Sequence, residues 1–113
     1  MTPLLQAWLI LFVSIAAEVT GTMALRFSEG FTRPIPTLVS AAFYVLAVWL
    51  MSLVLKTLEV GLTYAVWAAC GTALTALIGM IWFGESTSSL RFAGIGLIIA
   101  GVVLLNLSQP SAH

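Results

Sequence analysis

The spacing of charges constrains this chain more than any other feature. Eight charged side chains are spread over 113 residues: Glu18, Arg26, Glu29, Arg33, Lys56, Glu59, Glu85 and Arg91. Between Arg33 and Lys56 lie 22 uncharged residues, between Glu59 and Glu85 lie 25, and after Arg91 come 22 more. About 20 residues of helix, each rising roughly 1.5 Å, cross a hydrocarbon core of about 30 Å. Each run is long enough to span a membrane. The first 25 residues, charged only at Glu18, make a further span. Backbone groups in lipid must pair internally, so each span is expected to be helical. The charge spacing therefore predicts an all-α membrane protein with four transmembrane helices, at about 4–26, 34–55, 60–83 and 88–107. Together they form a single transmembrane domain over residues 1–113. Composition agrees. Only 7% of residues are charged, against about a quarter in soluble domains, so the chain cannot clothe a water-facing surface.

The links are short. "FSEG" places Gly30 just past the first helix, where a left-handed cap is easy. In "RPIP", Pro34 and Pro36 suit the start of the second helix, whose first N–H groups have no helical partner. "KTLEVG" makes a tight second hairpin, and "GESTSS" offers hydroxyls to cap the fourth helix. The first segment lacks a basic leader and its apolar run is too long for a secretion signal.

Several chemistries find no support. Cys70 is the one cysteine, so it has no internal disulfide partner and reads as a small core residue. One buried Cys and one histidine, His113, do not make a metal site. There is no phosphate loop, no Ser/His/Asp set and no basic patch for nucleic acid. An enzyme is not expected, nor any cofactor. Orientation is weakly instructed. The side with the first and third loops carries Arg26, Arg33 and Arg91, and the other side carries Lys56 alone. Basic residues favour the cytoplasmic face, and so small a bias allows insertion in both directions.

Glu18, inside "AAEVTG", is the residue that needs a reason. A charge at mid-span costs about 3 kcal/mol on insertion scales. A buried ion pair would require a basic partner at similar depth, but all four Lys and Arg residues lie at span ends. Arg26 is eight residues further on, roughly 12 Å along the same helix. The remaining reading is a carboxylate that exchanges partners. Desolvation favours the neutral acid, and an adjacent cation favours the anion. One Glu can then hold a proton or a cation, hardly both. That is the minimum equipment for proton-coupled cation exchange. Ser14, Gly21 and Thr22 share its helical stripe. They leave space and can offer hydrogen bonds, or they merely allow close helix packing; both readings stand.

Aromatic rings supply a second element. "YAVWAACG" sets Tyr64 and Trp67 on one face with Gly71, and "FYVLAVW" gives Tyr44 and Trp49. Ring faces attract cations by roughly 0.5–2 kcal/mol. The competing reading is an interfacial belt, which accounts for Trp8 and Trp82. In the fourth span, Gly94 and Gly101 lie seven apart beside a stripe of Ala93, Gly96 and Ala100. Small residues at helical spacing let helices approach closely in lipid, here against the same helix of a second copy. Four helices are few to enclose a path and seal both ends. Two copies inserted in opposite directions would give the two halves that many transporters build around a midplane site.

"AEVTGTMALRFSEGFTR", "FYVLAVW", "GLTYAVW" and "AGVVLLNLS" resemble the small multidrug resistance family, and specifically its quaternary ammonium compound exporter branch. The resemblance covers essentially the whole chain. It implies an antiparallel, dual-topology homodimer in the bacterial inner membrane, exporting lipophilic cations in exchange for protons. It places the family's membrane carboxylate on Glu18, followed by Gly21 and Thr22. It also places the binding aromatics on Tyr44, Tyr64 and Trp67, and the dimer glycines on Gly94 and Gly101. One family member has a serine near the substrate where this chain has Ala47, and an alanine where it has Ser14. Ala69 stands where a double-glycine motif usually follows the third-span tryptophan.

The nearest alternative within the family is a guanidinium exporter. That branch typically carries a tryptophan three residues after its glutamate, and often a lysine near the end of the fourth span. Here those places hold Gly21 and an uncharged "LLNLS". Gly21 is expected to leave a gap beside Glu18, and Ala47 removes a hydroxyl, so the site suits bulky cations without N–H groups. Ser14 could restore part of a polar network. Two rivals outside the branch are a non-transporting membrane assembly subunit and a channel.

Overall fold

A computed structural model describes residues 2–108. It contains four α-helices: α1 (Pro3–Phe27), α2 (Pro34–Val54), α3 (Val60–Trp82) and α4 (Ser89–Leu107). All four are long and apolar enough to cross a membrane. The fold class is therefore the all-α, four-span architecture that the charge spacing implied. The chain divides into two compact units, one ending at Glu59 and the other starting at Val60.

The first unit is the α1–α2 hairpin. Thr2 caps α1, its hydroxyl accepting the Leu5 N–H at 3.1 Å. Buried positions of α1 include Ala7, Leu11, Ser14, Ile15 and Gly21, and those of α2 are Ser40, Ala47, Met51 and Val54. Their spacing of three, four and seven marks one stripe on each helix. The turn between them differs from expectation. Gly30 is left-handed at φ +72°, but so are Glu29 at +48° and Phe31 at +67°. A left-handed conformation costs a side-chain-bearing residue roughly 1–2 kcal/mol. Ser28 offsets that cost. It is fully buried. Its hydroxyl donates to the Leu25 carbonyl at 2.6 Å and accepts the Phe31 N–H at 3.2 Å. Its own carbonyl accepts from Thr32 and Arg33. Arg33 is extended, as the residue before a proline must be, and Pro34 opens α2 without a side-chain cap.

The second unit holds α3 and α4. Leu62, Thr63, Val66, Ala69, Gly71 and Gly79 are the buried residues of α3, whereas no residue of α4 is buried. Gly84, at φ +67°, turns the chain after α3 and brings the Glu85 N–H back to the Gly79 carbonyl at 3.1 Å. The Glu85 carboxylate folds over Gly79, occupying the space a Cβ would take. It then meets Arg91 on α4 at 3.0 Å. Ser88 caps α4, its hydroxyl accepting the Arg91 N–H at 3.2 Å, as the serine-rich link led us to expect.

Candidate functional site

Glu18 is half-buried on α1. Among the described residues, no Lys or Arg pairs with it. Its partner is a hydroxyl one turn further on. Thr22 Oγ1 lies 3.2 Å from Glu18 Oε1 and 3.0 Å from the Glu18 carbonyl oxygen. The same Thr22 oxygen stands 2.7 Å from the hydroxyl of Tyr44 on α2. Thr22 has one proton to give and three oxygens within reach, so the hydroxyls form an ordered chain. With Tyr44 donating to Thr22 and Thr22 to Glu18, two O–H dipoles point at the carboxylate and stabilise its anion. When Glu18 carries a proton, Thr22 can turn back to the Glu18 carbonyl, as hydroxyls in helices do.

Gly21 does not leave a gap. A Cβ there would meet the Tyr44 ring at 3.2 Å and the Ser40 carbonyl oxygen at 3.3 Å. The space that the sequence left beside the carboxylate is filled by α2. The glycine serves close approach of the two helices, and that approach brings the Tyr44 hydroxyl to Thr22.

Ser14 and Ala47, both fully buried, face one another. The Ser14 hydroxyl donates to the Ala47 carbonyl oxygen at 2.7 Å. Its proton goes to the backbone of α2, not to Glu18. The two positions at which this chain departs from a relative thus belong to one contact across the hairpin. Residue spacing within α1 did not reveal that contact, because every residue of α2 offers the same kind of carbonyl.

Tyr64 and Trp67 belong to the second unit. Their rings meet edge to face with centroids 6.3 Å apart and planes at 87°. Tyr64 is 66% exposed, leaving a broad ring surface uncovered, and Trp67 is half-buried. Trp49 is exposed. Along α4, a Cβ added at Gly94, Gly96 or Gly101 would find nothing within 4 Å. The small stripe is present, and among the described residues nothing lies within 4 Å of a Cβ at any of its three glycines. No group of three or more His, Cys, Asp or Glu residues that could hold a metal ion occurs among the described residues.

Fold and site together define a small multi-pass membrane protein with one carboxylate held by hydroxyls inside a span. Comparison with known proteins carries this to a family. A family model described as Small Multidrug Resistance protein matches residues 6–98. The chain is 47% identical over 110 residues to quaternary ammonium compound-resistance protein QacF of Klebsiella aerogenes, covering 96% of this chain and 100% of that protein. It is 43% identical, with the same coverage, to quaternary ammonium compound-resistance protein QacE of Escherichia coli. It is also 35% identical over 103 residues to a guanidinium exporter of Citrobacter freundii, covering 91% of this chain and 98% of that one. The chain belongs to the small multidrug resistance family. At that level it is a cation efflux transporter and not an enzyme. It is a multi-pass membrane protein, and the bacterial inner membrane is this family's usual location.

Proposed function

We propose that this chain exports lipophilic and quaternary ammonium cations in exchange for protons, with Glu18 as the group both ligands share. The observation that carries this reading is the Glu18–Thr22–Tyr44 hydroxyl chain in a span where, among the described residues, no Lys or Arg pairs with the acid. A carboxylate so placed needs either a proton or a cation to lie comfortably at that depth. A structural acid would have a fixed partner; this one has hydroxyls whose direction can change.

The cycle follows from that competition. A cation entering from one face displaces the proton and takes its place at the carboxylate; the family resemblance gives the rings of Tyr44, Tyr64 and Trp67 a part in cation binding. A change of conformation opens the other face, a proton arrives, and the cation leaves. Only differential binding to the two states can drive such a change. Two copies in opposite orientation, associated along Gly94 and Gly101 of α4, would set two Glu18 side chains at one shared site. The unpacked small stripe of α4 supports that association.

The substrate branch rests on two residues. Gly21 is closed in by Tyr44 and the Ser40 carbonyl, so a tryptophan at this place collides with α2 as packed here. Ser14 is fully buried and its proton is committed, so it adds no accessible polar group for an N–H-rich cation. Quaternary ammonium ions or tetraphenylphosphonium should bind at least about tenfold better than guanidinium, roughly 1.4 kcal/mol. Competition at fixed pH measures this, and guanidinium displacing a quaternary ammonium ligand at equal concentration assigns the other branch. The exchange itself is tested in proteoliposomes. Binding of tetraphenylphosphonium should release protons from the wild type and none from Glu18→Gln. Proton-gradient-driven uptake by Glu18→Gln would refute the shared-carboxylate mechanism.

A further inference from the structure

Glu18 lies between two bonds that tie α1 to α2. One turn before it, Ser14 donates to the Ala47 carbonyl oxygen at 2.7 Å. One turn after it, Thr22 meets the Tyr44 hydroxyl at 2.7 Å. The two bonds differ in kind. A carbonyl can only accept, so the Ser14 bond has one direction. Ser14 and Ala47 are both 0% exposed, so neither water nor a cation reaches it. The Thr22–Tyr44 bond joins two hydroxyls and can run either way.

Tyr44 and Ala47 are three residues apart and share a stripe of α2. Where Ala47 is fixed along α1 therefore decides where the Tyr44 hydroxyl falls. Gly21 allows the helices to approach, but it has no side chain with which to choose a register. We infer that Ser14 is a positioning residue. Its fixed bond to the Ala47 carbonyl sets the register of α2 on α1, and that register delivers the Tyr44 hydroxyl to Thr22 beside the carboxylate. Ser14 acts through Tyr44 and does not touch the cation. The register half of this inference is independent of the transport reading. The effect on cation binding rests on Glu18 being the exchanging group.

The chain has two tyrosines, so protein labelled with 13C at the tyrosine ζ carbon gives two signals. Loss of one in Tyr44→Phe assigns it. In full-length protein in bilayers, Ser14→Ala should move the Tyr44 signal and leave that of Tyr64 in place. Ser14→Cys keeps the space filled, with a slightly larger atom, but donates weakly, and it should move the same signal. An unmoved Tyr44 signal in Ser14→Ala overturns the inference. So does a signal that moves in Ser14→Ala but not in Ser14→Cys, since filled volume rather than the hydrogen bond would then hold the register. For function, tetraphenylphosphonium affinity should fall roughly three- to tenfold in Ser14→Ala, the range expected for one interhelical hydrogen bond in lipid. In a Tyr44→Phe background, Ser14→Ala should add nothing further. Additive losses would mean that Ser14 acts on the cation without Tyr44. Absence of cation-triggered proton release in wild-type protein would instead fault the exchange reading and leave the register result standing.

Discussion

The two helical hairpins of this chain handle polarity in opposite ways. The α1–α2 hairpin is crossed by side-chain hydrogen bonds at Ser14 and Thr22, and Glu18, the acid within its helices, sits between them. The α3–α4 pair has its ion pair at the loop, where Glu85 meets Arg91, and carries rings and small residues along its spans. In lipid, helices gain little from hiding apolar surface, because the acyl chains are as apolar as leucine. A hairpin must then be fixed by direction-dependent bonds and close packing, and α1–α2 has both. Helix α4 has no buried residue, and a Cβ at Gly94, Gly96 or Gly101 would meet nothing within 4 Å among the described residues. One half is tied together around Glu18, and the other leaves a stripe of small residues open among the described residues.

The largest expected effect tests that open stripe. Replacing Gly94 and Gly101 together by Leu should abolish self-association and transport while leaving the helical content of the isolated chain unchanged. Cross-linking in membranes and circular dichroism read the two. If association survives, α4 faces lipid only and the contrast between the hairpins loses half its meaning.

Next in size is a matched pair of glycine substitutions. Gly21→Ala forces a ring and a backbone carbonyl apart by a few tenths of an ångström, and overpacking of this kind costs about 1–3 kcal/mol. Gly79→Ala displaces only the end of the Glu85 side chain, which can swing away. Its cost should stay within about 1 kcal/mol, the usual worth of an exposed ion pair. Thermal unfolding in one detergent orders the two variants. The reverse order would show that the α1–α2 seam is the more compliant of the two.

A stabilising change is expected at Thr63. Its hydroxyl is buried without a hydrogen-bond partner among the described residues, beside the exposed Tyr64. Thr63→Val keeps the shape and removes the orphan group, which should raise stability by about 1 kcal/mol. A lower melting temperature would reveal a partner for that hydroxyl in the assembled protein. The smallest effect belongs to Glu85→Gln. Both partners of the pair are about a third exposed, at 40% for Glu85 and 31% for Arg91. The loss should be under about 1 kcal/mol and should vanish in high salt. A salt-independent loss would instead assign Glu85's role to packing on Gly79.

Much of this was legible in the chain. Charge-free runs gave four helices because the bilayer fixes a length and permits few backbone geometries. Glu18 stood out because an acid in a span is costly and no basic residue shared its depth. The spacing of Ser14, Gly21 and Thr22 placed them on one stripe with it, because helical periodicity is local. The turn at Gly30 was read as one left-handed residue; three occur, because Ser28 supplies hydrogen bonds that no pattern of residue types announces.

What the sequence by itself determined is therefore whatever depends on length, periodicity and the cost of charge in oil: the class of fold, the one acid inside a span, and which residues share its face. Only the tertiary structure decided what each of those residues meets. Gly21 could mark an empty space or a filled one, and the Tyr44 ring fills it. Ser14 could serve the carboxylate or the packing, and it donates to a backbone carbonyl of the neighbouring helix. What fills the space beside a glycine, and which peptide oxygen a hydroxyl meets, leave no trace in residue identity, so such contacts appear only when two helices are brought together.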